Sequence, residues 1–127
     1  MATERGDRPW GYYLVLHEEA GYKVKQFVVR PGNRMSLQRH RRRAEHWQVV
    51  RGEAVVTRGK ETVRLLPGGA IDIPLGALHR VECGGKENLV LIEVQIGEYM
   101  GEDDIERFED DYGRDVTESA PAAPKMK

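Results

Sequence analysis

The stretch GNRMSLQRHRRRAEHWQVVRG, residues Gly32–Gly52, contains the residues that decide the fold expected for this chain. Gln38 and His40 are two positions apart, so their side chains point to the same face of a strand. Glu45 begins a second strand-forming run, EHWQVV. Two antiparallel strands joined by the loop RRRA would bring an amide oxygen, an imidazole and a carboxylate together. This combination is most of a metal site.

A second motif further along the chain supplies a fourth ligand. Gly68 is followed by five residues and then by Pro74, Gly76 and His79. The Pro-x-Gly turn determines how the chain enters the strand that carries His79. The four candidate ligands of one divalent metal ion are therefore Gln38, His40, Glu45 and His79. Two imidazole nitrogens and two oxygens suit zinc, our first choice, and also manganese, iron(II), cobalt or nickel.

The other two histidines are not expected to bind the metal. His46 alternates with Glu45 along the strand, so its side chain should point away from the site. His17 has no neighbouring ligand pattern and is predicted to lie on the surface.

Short strand-forming runs, punctuated by glycine and proline, lie on both sides of the two motifs and predict an all-β domain, either a sandwich or a barrel. The predicted strands are Tyr12–Glu18, Tyr22–Arg30, Met35–His40, Glu45–Arg51, Glu53–Arg58, Glu61–Leu66, Ala70–Ile73, His79–Glu82 and Leu89–Gln95. Beyond them, Ile105, Phe108 and Tyr112 recur at helical spacing. This spacing predicts a short amphipathic helix within Asp103–Tyr112, with Ile105 and Phe108 buried.

Two lysines share a strand face with core-like residues. Lys23 and Lys25 have the same parity as Phe27 and Val29 in the strand Tyr22–Arg30. If this face is inward, Lys25 lies near the apolar interior and Lys23 nearer the strand end. The alternative is that both side chains extend to water, because lysines are rarely buried without a partner.

Composition indicates one soluble domain. The chain has 127 residues, 39% of them hydrophobic and 32% charged, and a net charge of -1. This balance provides no general attraction to nucleic acid or to a membrane. The single cysteine, Cys83, excludes an intrachain disulfide, and no signal-like or membrane-spanning run is found, so a cytoplasmic location is expected. We predict a flexible N-terminus over residues 1–7, a domain over 8–114 and a disordered tail over 115–127.

Charged residues are distributed unevenly. Acidic residues concentrate near the C-terminus, and arginines concentrate in the stretch quoted first, at Arg34, Arg39, Arg41, Arg42 and Arg43. The arginine cluster could bind an anion, pair with the acidic segment or remain solvated.

Taken together, the two motifs resemble the paired motifs of the cupin superfamily. Gln38 stands where most cupins have the first histidine, and Cys83 stands where the second motif usually has asparagine. Within the superfamily, the chain resembles type II mannose-6-phosphate isomerase over roughly residues 8–114. The matching segments are Arg8-Pro9-Trp10-Gly11, Tyr22-Lys23-Val24-Lys25, Ser36-Leu37-Gln38, Arg43-Ala44-Glu45-His46-Trp47 and Gly101-Glu102-Asp103-Asp104-Ile105.

The resemblance implies a fold and a reaction. The expected fold is a single antiparallel jelly-roll β-sandwich with a short C-terminal helix. The expected reaction is the metal-dependent interconversion of mannose 6-phosphate and fructose 6-phosphate. This isomerase usually forms the C-terminal half of a bifunctional enzyme with mannose-1-phosphate guanylyltransferase. Because the chain contains no glycine-rich nucleotide loop, GDP-mannose synthesis is not expected from it.

Aldose–ketose isomerisation requires a base, an electrophile that stabilises the oxyanion, and a cation for the phosphate. Arg43 lies two residues before Glu45, at the expected rim of the site, and is the candidate phosphate-binding residue. Lys25 is a second candidate, either as a cation for the substrate or as a proton carrier. The base remains open among a metal-bound hydroxide, Lys25 and Glu45.

Two other functions are compatible with a metal cupin, since one fold supports many chemistries. One is a non-catalytic module that binds a sugar phosphate or supports a partner protein, and the other is an enzyme for a different small substrate. Convergence of Lys25 and Arg43 on the metal site would favour the isomerase. The expected partner is a small phosphorylated sugar rather than nucleic acid or a membrane, and open sheet edges make a homodimer possible.

Overall fold

A computed structural model of the chain describes residues 4–101 and 103–109, which form strands joined by turns and contain no helix. The strands are β1 (Glu4–Arg8), β2 (Gly11–Glu19), β3 (Tyr22–Val29), β4 (Leu37–Arg39), β5 (Arg43–Arg51), β6 (Ala54–Arg58), β7 (Glu61–Leu65), β8 (Ala70–Ile73), β9 (His79–Cys83), β10 (Leu89–Gly97) and β11 (Glu106–Glu109). All nine strands predicted from the sequence are present, with ends that differ by at most two residues. In this part of the chain, no helix is long and apolar enough to cross a membrane.

Two antiparallel sheets face each other. The strand order is β1-β2-β3-β10-β5-β8 in the first sheet and β11-β4-β9-β6-β7 in the second. Buried and partly exposed residues alternate along β5 and β10, as expected for strands with one face on a core. The predicted all-β sandwich is therefore confirmed.

The interior of the first sheet changes from apolar to polar along its length. At one level Leu91 pairs with Phe27 on β3 and with Val49 on β5, and all three are buried. Two residues further along β10, Glu93 pairs with Lys25 and Trp47. The antiparallel register thus aligns the polar ends of the three central strands, and this alignment creates the site described below.

Strand β1 was not predicted. Residues 1–7 were expected to be flexible, but Glu4–Asp7 belong to a strand that pairs with β2 from Glu4↔Val15 to Arg8↔Gly11. For residues 4–7 the prediction was wrong, because the polar sequence carries no strand pattern of its own. The strand instead extends the edge of the first sheet, and the Arg5 guanidinium covers the Tyr12 ring at 3.9 Å.

The described part of the predicted C-terminal helix, residues 103–109, is instead a turn followed by strand β11. Asp103 and Asp104 lie in a turn, and β11 pairs with β4 through Glu106↔Arg39 and Arg107↔Gln38. Ile105 is half-buried, and Phe108 is 40% exposed beside the Arg39 guanidinium rather than buried. Backbone pairing with the edge strand β4 therefore outweighs the weak helical periodicity. Residues 110–112 of the predicted helix and the predicted tail 115–127 lie outside the described residues.

Strands β4 and β5 do not form the hairpin implied by the loop RRRA. β4 belongs to the second sheet and β5 to the first, so the chain crosses the sandwich between them. Gln38 instead lies beside His79 through the pairing of β4 with β9. Residues predicted to share one sheet thus face each other across the sandwich.

Candidate metal centre

Three of the four candidate ligands converge between the sheets. His40, Glu45 and His79 are buried and each offers a ligand atom within 4.8 Å of the others. The Nε2 atom of His40 is 3.3 Å from Glu45 Oε2, and the Nε2 atom of His79 is 3.7 Å from Glu45 Oε1. These separations are close to those of donor atoms that share one ion at about 2.0–2.2 Å.

Backbone carbonyls orient both imidazoles. His40 Nδ1 is 2.6 Å from the carbonyl oxygen of Asp104, and His79 Nδ1 is 3.0 Å from that of Ala77. A carbonyl oxygen only accepts hydrogen bonds, so each Nδ1 carries the proton and each Nε2 presents a lone pair. Burial lowers the pKa of both histidines to about 4, and the Arg43 charge lowers that of His40 further in the same direction. Both rings are therefore neutral near pH 7, as metal ligation requires.

Gln38 completes the predicted set from the adjacent strand. It lines the same cavity as the two histidines and Glu45. Its amide nitrogen donates to Ser36 Oγ at 2.9 Å, which makes Oε1 the branch that a metal would bind. Two neutral imidazoles, a carboxylate and an amide oxygen in a buried cavity are a donor set that fits a divalent metal ion.

Arg43 lies at the ligand end of the cavity and not at its rim. It is buried, its Nε donates to Glu45 Oε2 at 2.9 Å, and its Nη2 lies 3.2 Å from His40 Nε2. The predicted rim position was wrong because Arg43 is already part of β5. Two residues before Glu45, it shares the inward face of that strand.

Both lysines of β3 point inward, which excludes the alternative that they extend to water. Lys25 is 2% exposed, lines the cavity, and places its Nζ 4.3 Å from the centre of the Tyr13 ring. Lys23 is also buried, and its Nζ donates to the carbonyl oxygen of Met100 at 3.3 Å. Lys25 and Arg43 thus converge on the cavity that contains the candidate ligands.

Glu93 is a site residue that the sequence analysis missed. Its carboxylate lines the cavity, and the Trp47 indole nitrogen lies 3.1 Å from Glu93 Oε2 and 3.0 Å from Glu45 Oε1. Burial, reinforced by the negative charge of Glu45, raises the pKa of Glu93 to about 8. Parity along β10 was the available signal, because Glu93 follows the buried Leu89 and Leu91 at steps of two.

The remaining histidines lie outside the site, as predicted. His46 Nδ1 is 2.7 Å from Asp72 Oδ1, and the side chain is 42% exposed. The exposed His17 places its Nε2 atom 3.3 Å from Glu19 Oε2.

The arginine cluster pairs with acidic residues near the C-terminus, one of the alternatives left open above. Glu106 accepts from Arg39 at 2.7 Å and from Arg41 at 2.9 Å. These hydrogen bonds hold the pKa of Glu106 below its ordinary value. Arg42 Nε is 3.5 Å from Glu98 Oε2.

The cavity is small and rich in cations. It encloses about 50 Å³, room for only a few water molecules. Its ionisable lining comprises the carboxyl groups of Glu45 and Glu93, the two neutral histidines, and four cations. The four cations are Arg8, Lys25, Arg43 and Arg107.

Comparison with known proteins gives a family match over most of the chain. The model of the family described as "Mannose-6-phosphate isomerase C-terminal" matches residues 2–110. The xanthan biosynthesis protein XanB of Xanthomonas campestris is 53% identical over 107 residues, which are 84% of this chain and 23% of that protein. The alginate biosynthesis protein AlgA of Pseudomonas aeruginosa is 50% identical over 84% of this chain and 22% of its own length. The chain thus spans about a quarter of the curated relatives that it matches.

Solved structures with low sequence identity share the fold. An RmlC-like cupin from Shewanella frigidimarina superposes with a TM-score of 0.69 at 22% identity, covering 80% of this chain and 87% of its own. KdgF from Halomonas sp. superposes with a TM-score of 0.67 at 20% identity, covering 73% of this chain and 87% of its own. These likenesses identify the sandwich as a cupin fold.

Proposed function

Because this chain belongs to the family of mannose-6-phosphate isomerase C-terminal domains, we propose that it interconverts mannose 6-phosphate and fructose 6-phosphate with one divalent metal ion. One observation carries the proposal. Lys25 and Arg43 line the same cavity as the candidate metal ligands. A metal cupin that takes no anionic substrate would not require two buried cations beside its ligands, since burying charge is costly. The assay below separates catalysis from binding of the sugar phosphate alone.

The metal would be held by the four residues of the two sequence motifs. His40 and His79 present Nε2 atoms, Glu45 its carboxylate and Gln38 its amide oxygen. When bound, a divalent ion acts as a Lewis acid that stabilises negative charge on the oxygens of neighbouring sugar carbons. The carbonyls of Asp104 and Ala77 hold the two imidazoles in the orientation that this role requires.

Lys25 is the residue that we propose moves the proton. The reaction takes a proton from C2 of the aldose and returns one to C1 of the ketose. An amine at Nζ that takes the C2 proton becomes the ammonium that returns it to C1, while the hydroxyl proton on O2 passes to O1, so no proton is gained or lost overall. Glu45 is a poorer candidate because its oxygens already accept hydrogen bonds from Arg43 and Trp47.

Arg43 is proposed to bind a substrate oxygen at the reacting end. Its contacts with Glu45 and His40 hold the guanidinium beside the donor atoms. A fixed cation there attracts an oxygen on which negative charge develops. The buried position between the sheets also excludes bulk water, which strengthens such an interaction.

The test is a coupled assay that follows fructose 6-phosphate formed from mannose 6-phosphate. Protein is freed of metal with EDTA, and zinc, manganese, iron(II), cobalt and nickel are then restored one at a time. We expect activity to be lost on chelation and recovered with at least one ion. Lys25→Met should lower kcat by about 10²–10⁴-fold, the usual contribution of a proton-transfer residue, while the metal content stays normal.

Lys60→Met is the matched control because it removes an exposed lysine in the turn between β6 and β7. It should retain wild-type kcat. If the folded, metal-loaded wild-type protein converts no mannose 6-phosphate, the isomerase proposal is wrong.

A further inference from the structure

We propose that Arg8 and Arg107 bind the phosphate group of the sugar phosphate at the mouth of the cavity, an inference that rests on the isomerase function proposed above. The two residues come from opposite ends of the described chain. Both line the cavity that contains the candidate metal ligands. Neither was a candidate in the sequence analysis, since β1 and β11 were not predicted.

The position of the two arginines in the sandwich places them on opposite walls. Arg8 ends β1, the edge strand of the first sheet, and Arg107 lies on β11, the edge strand of the second. Both are half-buried, whereas Lys25 and Arg43 are buried deep between the sheets. The outer two cations therefore flank the opening, and the inner two lie toward the metal ligands.

Contacts with neighbouring side chains connect the mouth with the inner site. The Arg8 guanidinium lies 5.0 Å from the centre of the Tyr13 ring, and Lys25 Nζ lies 4.3 Å from the same centre. On the other wall, Arg107 is the cross-strand partner of Gln38, a candidate metal ligand. Arg8 thus shares the Tyr13 ring with Lys25 on one wall, and Arg107 pairs with Gln38 on the other.

The chemistry of the substrate indicates which of its ends lies at the metal ligands and which lies at the mouth of the cavity. In a hexose 6-phosphate, the reacting carbons C1 and C2 lie at the opposite end of the carbon chain from the phosphate. With C1 and C2 at the metal ligands, the phosphate points toward the mouth. Arg43 is held at the inner end by Glu45 and His40, so it is poorly placed for that group.

Charge also favours an anion in this position. The cavity lining carries four lysine or arginine side chains against two carboxyl groups, so it is positive overall whether Lys25 is an amine or an ammonium, and it attracts a phosphate dianion. Arginine binds phosphate through two parallel N–H donors, an arrangement that lysine cannot reproduce. The half-buried Arg8 and Arg107 can move more readily than the buried Arg43.

The experiment measures phosphate recognition with and without turnover. Arg8→Gln, Arg107→Gln and the corresponding lysine variants are compared with wild type for KM and kcat with mannose 6-phosphate. Binding of inorganic phosphate and of mannose 6-phosphate is measured by calorimetry on the same metal-loaded proteins. We expect each glutamine variant to raise KM and both dissociation constants about ten- to a hundredfold, with a smaller change in kcat and normal metal content.

Arg5→Gln and Arg41→Gln are the matched controls. Arg5 lies on the same strand as Arg8 but pairs with the exposed Asp7 at 3.1 Å, and Arg41 is exposed and pairs with Glu106. Each control removes one positive charge outside the cavity. Because surface substitutions usually have small effects, KM and phosphate binding should stay within about twofold of wild type. Equal effects of the control and cavity variants would overturn the proposal.

The two proposals fail in different ways. If wild type turns over mannose 6-phosphate and the Arg8 and Arg107 variants keep its KM and its phosphate affinity, the isomerase stands and the phosphate site is wrong. If wild type binds mannose 6-phosphate without converting it and these variants lose that binding, the phosphate site stands and the isomerase is wrong. If a glutamine variant fails to fold, the KM and phosphate affinity of the corresponding lysine variant test the phosphate site instead. The lysine variant keeps the positive charge but lacks the two parallel N–H donors.

Discussion

At the scale of single residues, Glu93 shows how the fold changes the chemistry of a side chain. The sequence places it in the most apolar strand, yet it lies among charged and polar groups of the site. Trp47 and Gln95 donate to its two oxygens, Gln95 at 2.7 Å. Because burial and the Glu45 charge raise the pKa of Glu93 to about 8, it is largely protonated at pH 7.

This shift predicts a pH dependence of stability. Glu93 ionises near 4.5 in the unfolded chain and near 8 in the folded chain, so between these values the folded state holds a proton that the unfolded state has released. The free energy of unfolding contributed by Glu93 is thus highest below pH 4.5 and falls as the pH rises through 8. In metal-free protein, urea unfolding of wild type should show a steeper loss of stability from pH 5 to 8 than that of Glu93→Gln.

The two histidines of the site change the pH dependence of stability in the opposite direction, and they do so at lower pH. Their pKa values are lowered from 6.5 to about 4, so they contribute a loss of stability as the pH falls through that window. Both proteins in the comparison retain them, and the difference between the two profiles isolates Glu93. Parallel profiles from pH 5 to 8 would contradict the assignment.

At the scale of elements, the segment formed by β11 and the turn before it contributes more to the site than to the hydrophobic core. The carbonyl of Asp104 accepts from His40, and its carboxylate accepts from the backbone N–H groups of Arg41 and Arg42 at 3.2 and 3.0 Å. The segment therefore fixes both the His40 ring and the chain that follows it. Its apolar contribution is modest, since Ile105 is half-buried and Phe108 is 40% exposed.

Deletion from Gly101 onward should therefore weaken metal binding as well as lower the melting temperature. Loss of a hydrogen-bond partner behind a metal ligand commonly reduces affinity about 10- to 100-fold. The lost apolar burial should lower the free energy of unfolding by less than ~1.5–3 kcal/mol for each large side chain, since that value applies to a side chain that is fully buried. Metal titration and thermal unfolding measure the two effects. A chain ending at Arg114, without the predicted tail, is the control, and an unchanged metal affinity after the longer deletion would refute the supporting role.

At the scale of the whole molecule, the candidate ligands link the two sheets. Glu45 lies on the first sheet, while His79 lies on the second and His40 directly follows β4 of the second. An ion held by all three would join the halves of the sandwich. Such binding to the folded state alone stabilises it by mass action, by about 2.7 kcal/mol when the free metal is at a hundred times its dissociation constant.

Chelation should accordingly lower the melting temperature of the wild-type protein. His40→Ala should bind less than one ion per chain and should melt at the same temperature with and without EDTA. His46→Ala is the matched control, since it removes a histidine outside the site and should respond as wild type does. Stoichiometric metal in His40→Ala, measured by elemental analysis, would count against the ligand assignment.

The sequence alone determined the strands and the candidate ligand set because both are written in local patterns. Alternation of apolar residues and turn-forming Pro and Gly identify nine strands with small errors at their ends. The spacing of Gln38, His40, Glu45 and His79 identifies the donor residues, of which the structure brings two histidines and the glutamate within ligand distance. Periodicity was misleading only where it was weak, in the acidic segment that forms β11.

Only the tertiary structure decided which face and which sheet each functional residue occupies. Antiparallel register aligns the polar ends of β3, β10 and β5, and this alignment buries Lys25 and Glu93 beside Glu45. Strand β11, which carries Arg107, forms by pairing with β4, which is distant in sequence. Strand β1, which carries Arg8, has no strand pattern of its own and forms by pairing with its neighbour β2. A single-residue shift in register would turn these side chains to solvent. The ligands could be identified along the chain, but most of the cations around them reach the site only through strand pairing.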